Sequence, residues 1–184
     1  MSILLYTQTK VIKGLTATIE YHYDADADAP WQSRDGHGPV RSSLKHHSPH
    51  HSDKRPGESP LNSPERHETQ YYYDWQEAMK IAQRDGWGPG TTAEAVQADF
   101  DYLRGYIRGD WQYVGIVVRI TDPQGLTLAM DDLWGVETFK DYHETEAREM
   151  AEQLIEHHLQ KLEAEANEAR ILRRYRDAQD LLPA

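Results

Sequence analysis

The sequence predicts an α+β fold, a small antiparallel sheet with helices on one face and a long C-terminal helix. Three observations carry that prediction. Leu15–Tyr23 alternates apolar and polar residues with the period of a half-buried strand, and Tyr113–Ile120 lines one face with Val114, Ile116, Val118 and Ile120. Asp74 with Glu77, and Thr91 with Glu94, have the spacing of capping boxes ahead of amphipathic runs. Asp141–Leu182 contains neither Pro nor Gly and is closed by Pro183.

In chain order, Ile3, Leu5, Val11 and Ile12 mark residues 2–13 as a weakly patterned strand or a tail that pairs with a sheet. The next strand sets Ala17, Ile19, Tyr21 and Tyr23 against Thr18, Glu20 and His22, and the Asp-Ala repeats of residues 24–28 end it. From Pro30 to about Glu68 the composition turns to Pro, Ser, His, Gly and charge. Few apolar side chains are available there to repay ordering, so a flexible insertion is expected at about 41–68 within a single domain spanning 1–184. A helix then carries Trp75, Ala78, Met79 and Ala82 on one face, and Gly86 is placed to cap it. A second helix places Val96, Phe100, Leu103 and Ile107 at spacings of four, three and four, ending at Gly109. After the strand beginning at Tyr113, residues 121–125 read as a turn and Leu126, Leu128 and Met130 as the returning strand of a hairpin. Asp131 and Asp132 break its alternation before Leu133–Val136, which predicts a bulge or a second short strand with a buried Trp134. Trp75 and Trp111 are likewise expected to face the core, and Trp31 and Trp87 to be exposed.

The chain has 184 residues, 38% hydrophobic, and a mean hydropathy of -0.83, so only part of it can build the core. It has no cysteine, which excludes disulfides and thiolate chemistry and fits a reducing compartment. No apolar run approaches the roughly 20 residues of a membrane span, so the expectation is a cytoplasmic protein without a membrane partner. Net charge is -11, and it is concentrated: residues 122–168 hold 13 Asp and Glu against 3 Lys and Arg. Such a segment repels nucleic acid and favours a basic partner.

At 1.5 Å per residue, a helix over 141–182 would be about 63 Å long, beside a body about 40 Å across. It must bend or project. Ala147, Met150, Ala151 and Leu154 extend an apolar face near its start, and Ile155, Leu159, Leu162, Ala166 and Ala169 follow as a seam at spacings of four, three, four and three. That seam is a candidate interface between copies of the chain. Glu144, Glu149, Glu152, Glu156 and Glu163 are candidates for contact with a basic partner. Residues 141–154 are expected to pack on the sheet, 155–169 to carry the seam and an acidic back, and 170–182 to form a basic end. Acid early and base late also suits the helix dipole, so a merely solvated face accounts for part of the pattern.

Motifs for chemistry are scarce. His143-Glu144 lacks the second histidine of a zinc helix, since Ala147 stands there. His157 and His158 point about 100° apart on a helix. The run His46-His47-Ser48-Pro49-His50-His51 offers imidazoles without a fixed backbone. Asp131 and Asp132 could sit at a hairpin end, but a bulge explains them as well. No nucleophile elbow, phosphate loop or dinucleotide fingerprint is present. The reading is therefore of a protein that is not an enzyme and has neither cofactor nor metal.

Several words resemble those of small, functionally unassigned acidic proteins of bacteriophages, prophages and plasmid-like mobile elements. They are Asp35–Val40, Lys54–Glu58, Tyr73–Ala78, Asp85–Trp87, Tyr102–Gly105, Trp111–Ile116 and Leu133–Glu137, spread from about residue 15 to 160. The resemblance brings no active site. It implies that Asp35–Val40 and Lys54–Glu58 are ordered flanks of the His-rich run, and it points to a bacterial host. An acidic protein-binding module follows, in the manner of a DNA mimic that inhibits a host nucleic-acid-binding or defence protein. The alternative is a homo-oligomeric accessory protein assembled through the C-terminal helix.

Overall fold

The computed structural model describes residues 2–32, 37–44, 53–63, 69–88 and 90–179. Its elements run β1 (Ile3–Ile12), β2 (Leu15–Tyr23), β3 (Val40–Leu44), β4 (Glu58–Pro60), β5 (Thr69–Asp74), α1 (Trp75–Asp85), α2 (Thr92–Arg108), β6 (Tyr113–Thr121), β7 (Thr127–Glu137) and α3 (Tyr142–Gln179). The fold is α+β, with two small antiparallel sheets and a long C-terminal helix. The chain divides into two compact units, one of residues 1–25 and 113–184 and one of residues 26–112.

In the first unit the strand order is β1-β2-β6-β7. Lys13 and Gly14, at φ 52° and 82°, form the two-residue turn that joins β1 to β2, with both residues in the left-handed region that such tight hairpins require. On one face of the sheet Ala17, Ile19 and Tyr21 from β2 and Val114, Ile116, Val118 and Ile120 from β6 are all fully buried, together with Ala147, Ala151 and Ile155 of α3. The strand alternation read from the sequence is thus the alternation between helix-covered and uncovered faces. β1 is an edge strand and much of it is exposed, including Ile3, Leu4 and Val11.

β7 is one strand with a bulge opposite Val114–Ile116, where Gly135 takes φ 75°. The bulge throws Trp134 onto the uncovered face, over Gly115, where any added Cβ would lie within 2.2 Å of the indole. The expectation of a buried Trp134 is corrected: the residue is 43% exposed, on the sheet face opposite the one that α3 packs against.

The second unit pairs β3 and β4 with the two edges of β5. Its core comprises Leu61, Tyr73, Ala78, Ala82, Val96, Phe100 and Leu103, so α1 and α2 supply the scaffold their periodicity predicted. Both helices start as expected: Asp74 accepts from the amides of Gln76 and Glu77, and Thr91 and Glu94 form a reciprocal capping box. Trp31 and Trp87 are corrected from exposed to half-buried. Trp31 packs on Tyr71 and Tyr106, whose large rings give the loop something to bury.

The flexible insertion expected at 41–68 is corrected in part, because it contains residues of β3 and all of β4. Arg41 donates from Nε and Nη2 to the two carboxylate oxygens of Glu58 at 2.8 and 2.7 Å, and its guanidinium lies 4.6 Å from the Tyr72 ring centre. The fork-to-fork geometry lets a carboxylate that is only 5% exposed remain charged. The hydrogen bonds from Arg41, with the Arg55 amide adding to them, hold the Glu58 pKa below its ordinary value. Composition could not show that these two charges cancel. The His-rich run at 46–51 lies outside the described residues, as do Asp35 and Gly36.

Candidate functional surface

The first third of α3 is fixed by a ridge at four-residue spacing. His143, Ala147, Ala151 and Ile155 are buried against the sheet, with Met150, Leu154 and Leu159 partly buried beside them. Alanine at two of these positions lets the helix axis lie close to the strands. Beyond Leu159 the packing stops. Every residue from Gln160 to Arg174 is exposed, while the helix continues unbroken to Gln179.

The five candidate glutamates, Glu144, Glu149, Glu152, Glu156 and Glu163, are all exposed. At about 100° per residue, Glu149, Glu152, Glu156 and Glu163 fall within a wedge of roughly 60°, and Glu144 lies roughly a quarter-turn outside it. Among the described residues none of the five is in an ion pair. Glu156 accepts a long hydrogen bond of 3.5 Å from Gln160.

The candidate seam divides. Ile155 is corrected from an interface residue to a core residue, fully buried under the chain's own sheet, and Leu159 packs partly against the same cluster. The heptad-like spacing continued through both, but the sheet reaches far enough along α3 to cover the first. Leu162, which is 47% exposed, and Ala166 and Ala169 remain open to solvent.

Three polar groupings lie elsewhere, and only the third includes residues, Asp131 and Asp132, that the sequence offers as a site. Under the start of α3, the Tyr6 hydroxyl lies 2.8 Å from His143 Nε2, and the Tyr6 ring stacks on Tyr21 at 4.3 Å. Tyr21 Oη and His143 Nδ1 are buried without a hydrogen-bond partner among the described residues. Burial raises both phenol pKa values, helped at Tyr6 by Glu144 and Asp141 and at Tyr21 by Tyr6 and Glu144, so both hold their protons.

In the second unit, Asp99 receives the Tyr73 hydroxyl at 2.7 Å and the Gly38 amide at 2.8 Å, and His37 Nδ1 lies 2.6 Å away. His37 also stacks on Tyr102. A carboxylate that fixes an imidazole is one component of acid–base catalysis. Here it also ties the 37–38 loop to α2, and the grouping holds no nucleophile other than a buried phenol. Residues 37 and 99 are separated by 62 positions, so no local pattern could have joined them.

The third grouping is on the uncovered sheet face, where Trp134 Nε1 donates to Asp132 at 2.7 Å and the indole sits 6.1 Å from the His22 ring. Asp131 and Asp132 are neighbours on one strand and both exposed, with Asp132 serving to hold Trp134 rather than to pair with Asp131.

Among the described residues no group of three or more His, Cys, Asp and Glu side chains is placed to hold a metal ion. Among the same residues no helix is long and apolar enough to cross a membrane. His157 is exposed and His158 half-buried, with nothing bringing them to one ligand position. Set against known proteins, the chain matches no family model, no curated protein and no solved structure.

Proposed function

We propose that the protein is an acidic binding module that docks on a basic surface of another protein through the solvent side of α3. The observation that carries this reading is the stripe of Glu149, Glu152, Glu156 and Glu163, unpaired and exposed along about 21 Å of helix. Through Leu159 the underside of that helix is anchored, so the first three carboxylates are held in place before a partner arrives. Little further ordering entropy is then lost on binding. Neighbouring carboxylates three and four residues apart lie about 5–6 Å from one another, a spacing comparable to that of phosphates along a nucleic-acid strand. The partner class that fits is a Lys/Arg-lined nucleic-acid-binding or defence protein of a bacterial host, occupied in place of its nucleic acid.

The test is capture from a bacterial lysate at low and high salt, using the full chain and the Glu149→Gln/Glu152→Gln/Glu156→Gln variant. A basic protein retained at low salt, released at high salt and lost in the triple variant is expected, because exposed charge pairs are screened. Binding that ignores both salt and the substitutions would overturn the reading. Circular dichroism of the variant should match the parent, since the three side chains support no packing.

A further inference from the structure

The free end of α3 carries a second surface, which shares Glu163 with the acidic stripe and faces a different occupant. Leu162, Ala166 and Ala169 continue a seam past the last residue that the sheet covers, and Leu172, 57% exposed, flanks it. After Lys161, which precedes Glu165 by four residues, the charges along this segment are sorted into blocks. Glu163, Glu165 and Glu168 precede Arg170, Arg173 and Arg174.

A helix meant to stand alone in water places opposite charges three or four residues apart. Glu163 has Leu159, Gln160, Ala166 and Asn167 at those positions, and Arg170 has Ala166, Asn167, Arg173 and Arg174. Neither can find an opposite charge on its own helix. Arg170 donates to Asn167 at 3.1 Å instead, and among the described residues none of these six charged side chains is in a salt bridge. Glu163 and Arg170 are seven residues apart, hence on one flank of the seam.

We propose that residues 160–174 are a self-docking surface, pairing antiparallel with the same residues of a second copy about a twofold axis near Asn167. In that arrangement Ala166 of each copy meets Ala169 of the other, small side chains that let the helices approach closely. Leu162 faces Arg173 and lies against its aliphatic stem. Glu163 of each copy comes beside Arg170 of the other, so the symmetry makes the contact twice. The parallel alternative puts two Arg173 face to face across the seam and brings the two acidic halves of α3 side by side. Charge complementarity therefore selects the antiparallel second copy.

The test is sedimentation of the full chain over a concentration series at low salt. A monomer–dimer equilibrium is expected, weakened at least about tenfold in Arg170→Glu and in Glu163→Arg, where like charges meet, and restored in the double variant Glu163→Arg/Arg170→Glu. Orientation is read by cross-linking, with no native cysteine to interfere. An oxidised mixture of Leu162→Cys and Arg173→Cys chains should give the mixed disulfide in preference to either homodimer. A monomer at every concentration, a dimer indifferent to charge reversal, or cross-linking of each variant mainly with itself would overturn the proposal. Glu163 also belongs to the acidic stripe, so lysate capture is compared in Arg170→Glu, which alters no residue of that stripe and therefore separates loss of self-docking from loss of capture.

Discussion

Two stretches of one helix use alanine in the same way and meet different fates. Ala147 and Ala151 are fully buried against the four-stranded sheet, whereas Ala166 and Ala169 lie in water. Both pairs sit on an apolar stripe, one pair four residues apart and the other three, and either spacing keeps both alanines on one face of the helix. What differs is the reach of the sheet, which ends beneath Leu159. A helical stripe states that something can cover it and is silent on whether that is the same chain or another.

Substitutions can break or sharpen this contrast. The largest effect is expected at the last residue of the covered ridge: Ile155→Ala removes a fully buried side chain and should cost about 2–5 kcal/mol in urea unfolding. A loss below about 1 kcal/mol would mean that the ridge ends earlier than Ile155.

A smaller effect of opposite sign is expected at Tyr21. Its buried hydroxyl has no partner among the described residues, so Tyr21→Phe should stabilise the chain by about 1 kcal/mol. The gain should grow in alkali. A phenol whose pKa is raised on folding contributes stability in full below the unfolded value of 10.0, and that contribution falls away as pH rises toward the folded value. Phenylalanine has nothing to lose there, and unfolding curves at neutral pH and above pH 10 should show the gap widening. Destabilisation by Tyr21→Phe would reveal a bonded water at the hydroxyl.

The smallest change belongs to the uncovered half. At a dilution where the chain is monomeric, Leu162→Ala should move stability by no more than about 0.5 kcal/mol, as alanine is the better helix former and no packing is lost. A cost approaching that of Ile155→Ala would erase the contrast.

Periodicity and capping make most of the fold legible in the sequence. The starts of α1 and α2 follow from Asp74 and Thr91, β6 from its alternation, and α3 from the absence of Pro and Gly. β3 and β4 were hidden because their order depends on Arg41 finding Glu58, a pairing of two charges in a polar stretch. Trp134 was misplaced because a bulge moves a side chain to the other face, and alternation cannot say which face a helix covers. Of the candidate surface, the exposure of all five glutamates was anticipated. The division of the seam between Ile155 and Leu162 was not, because it depends on where the sheet ends.

The placement of Trp134 also gives the molecule an optical asymmetry. It is the one tryptophan of the first unit; Trp31, Trp75, Trp87 and Trp111 all belong to the second. A solvent-facing indole over a glycine emits at longer wavelength than a sheltered one and is open to collisional quenchers. The four tryptophans of the second unit are half-buried or buried. The fluorescence of the intact chain therefore carries two separable signals, and the redder, more quenchable one reports on the unit that bears α3.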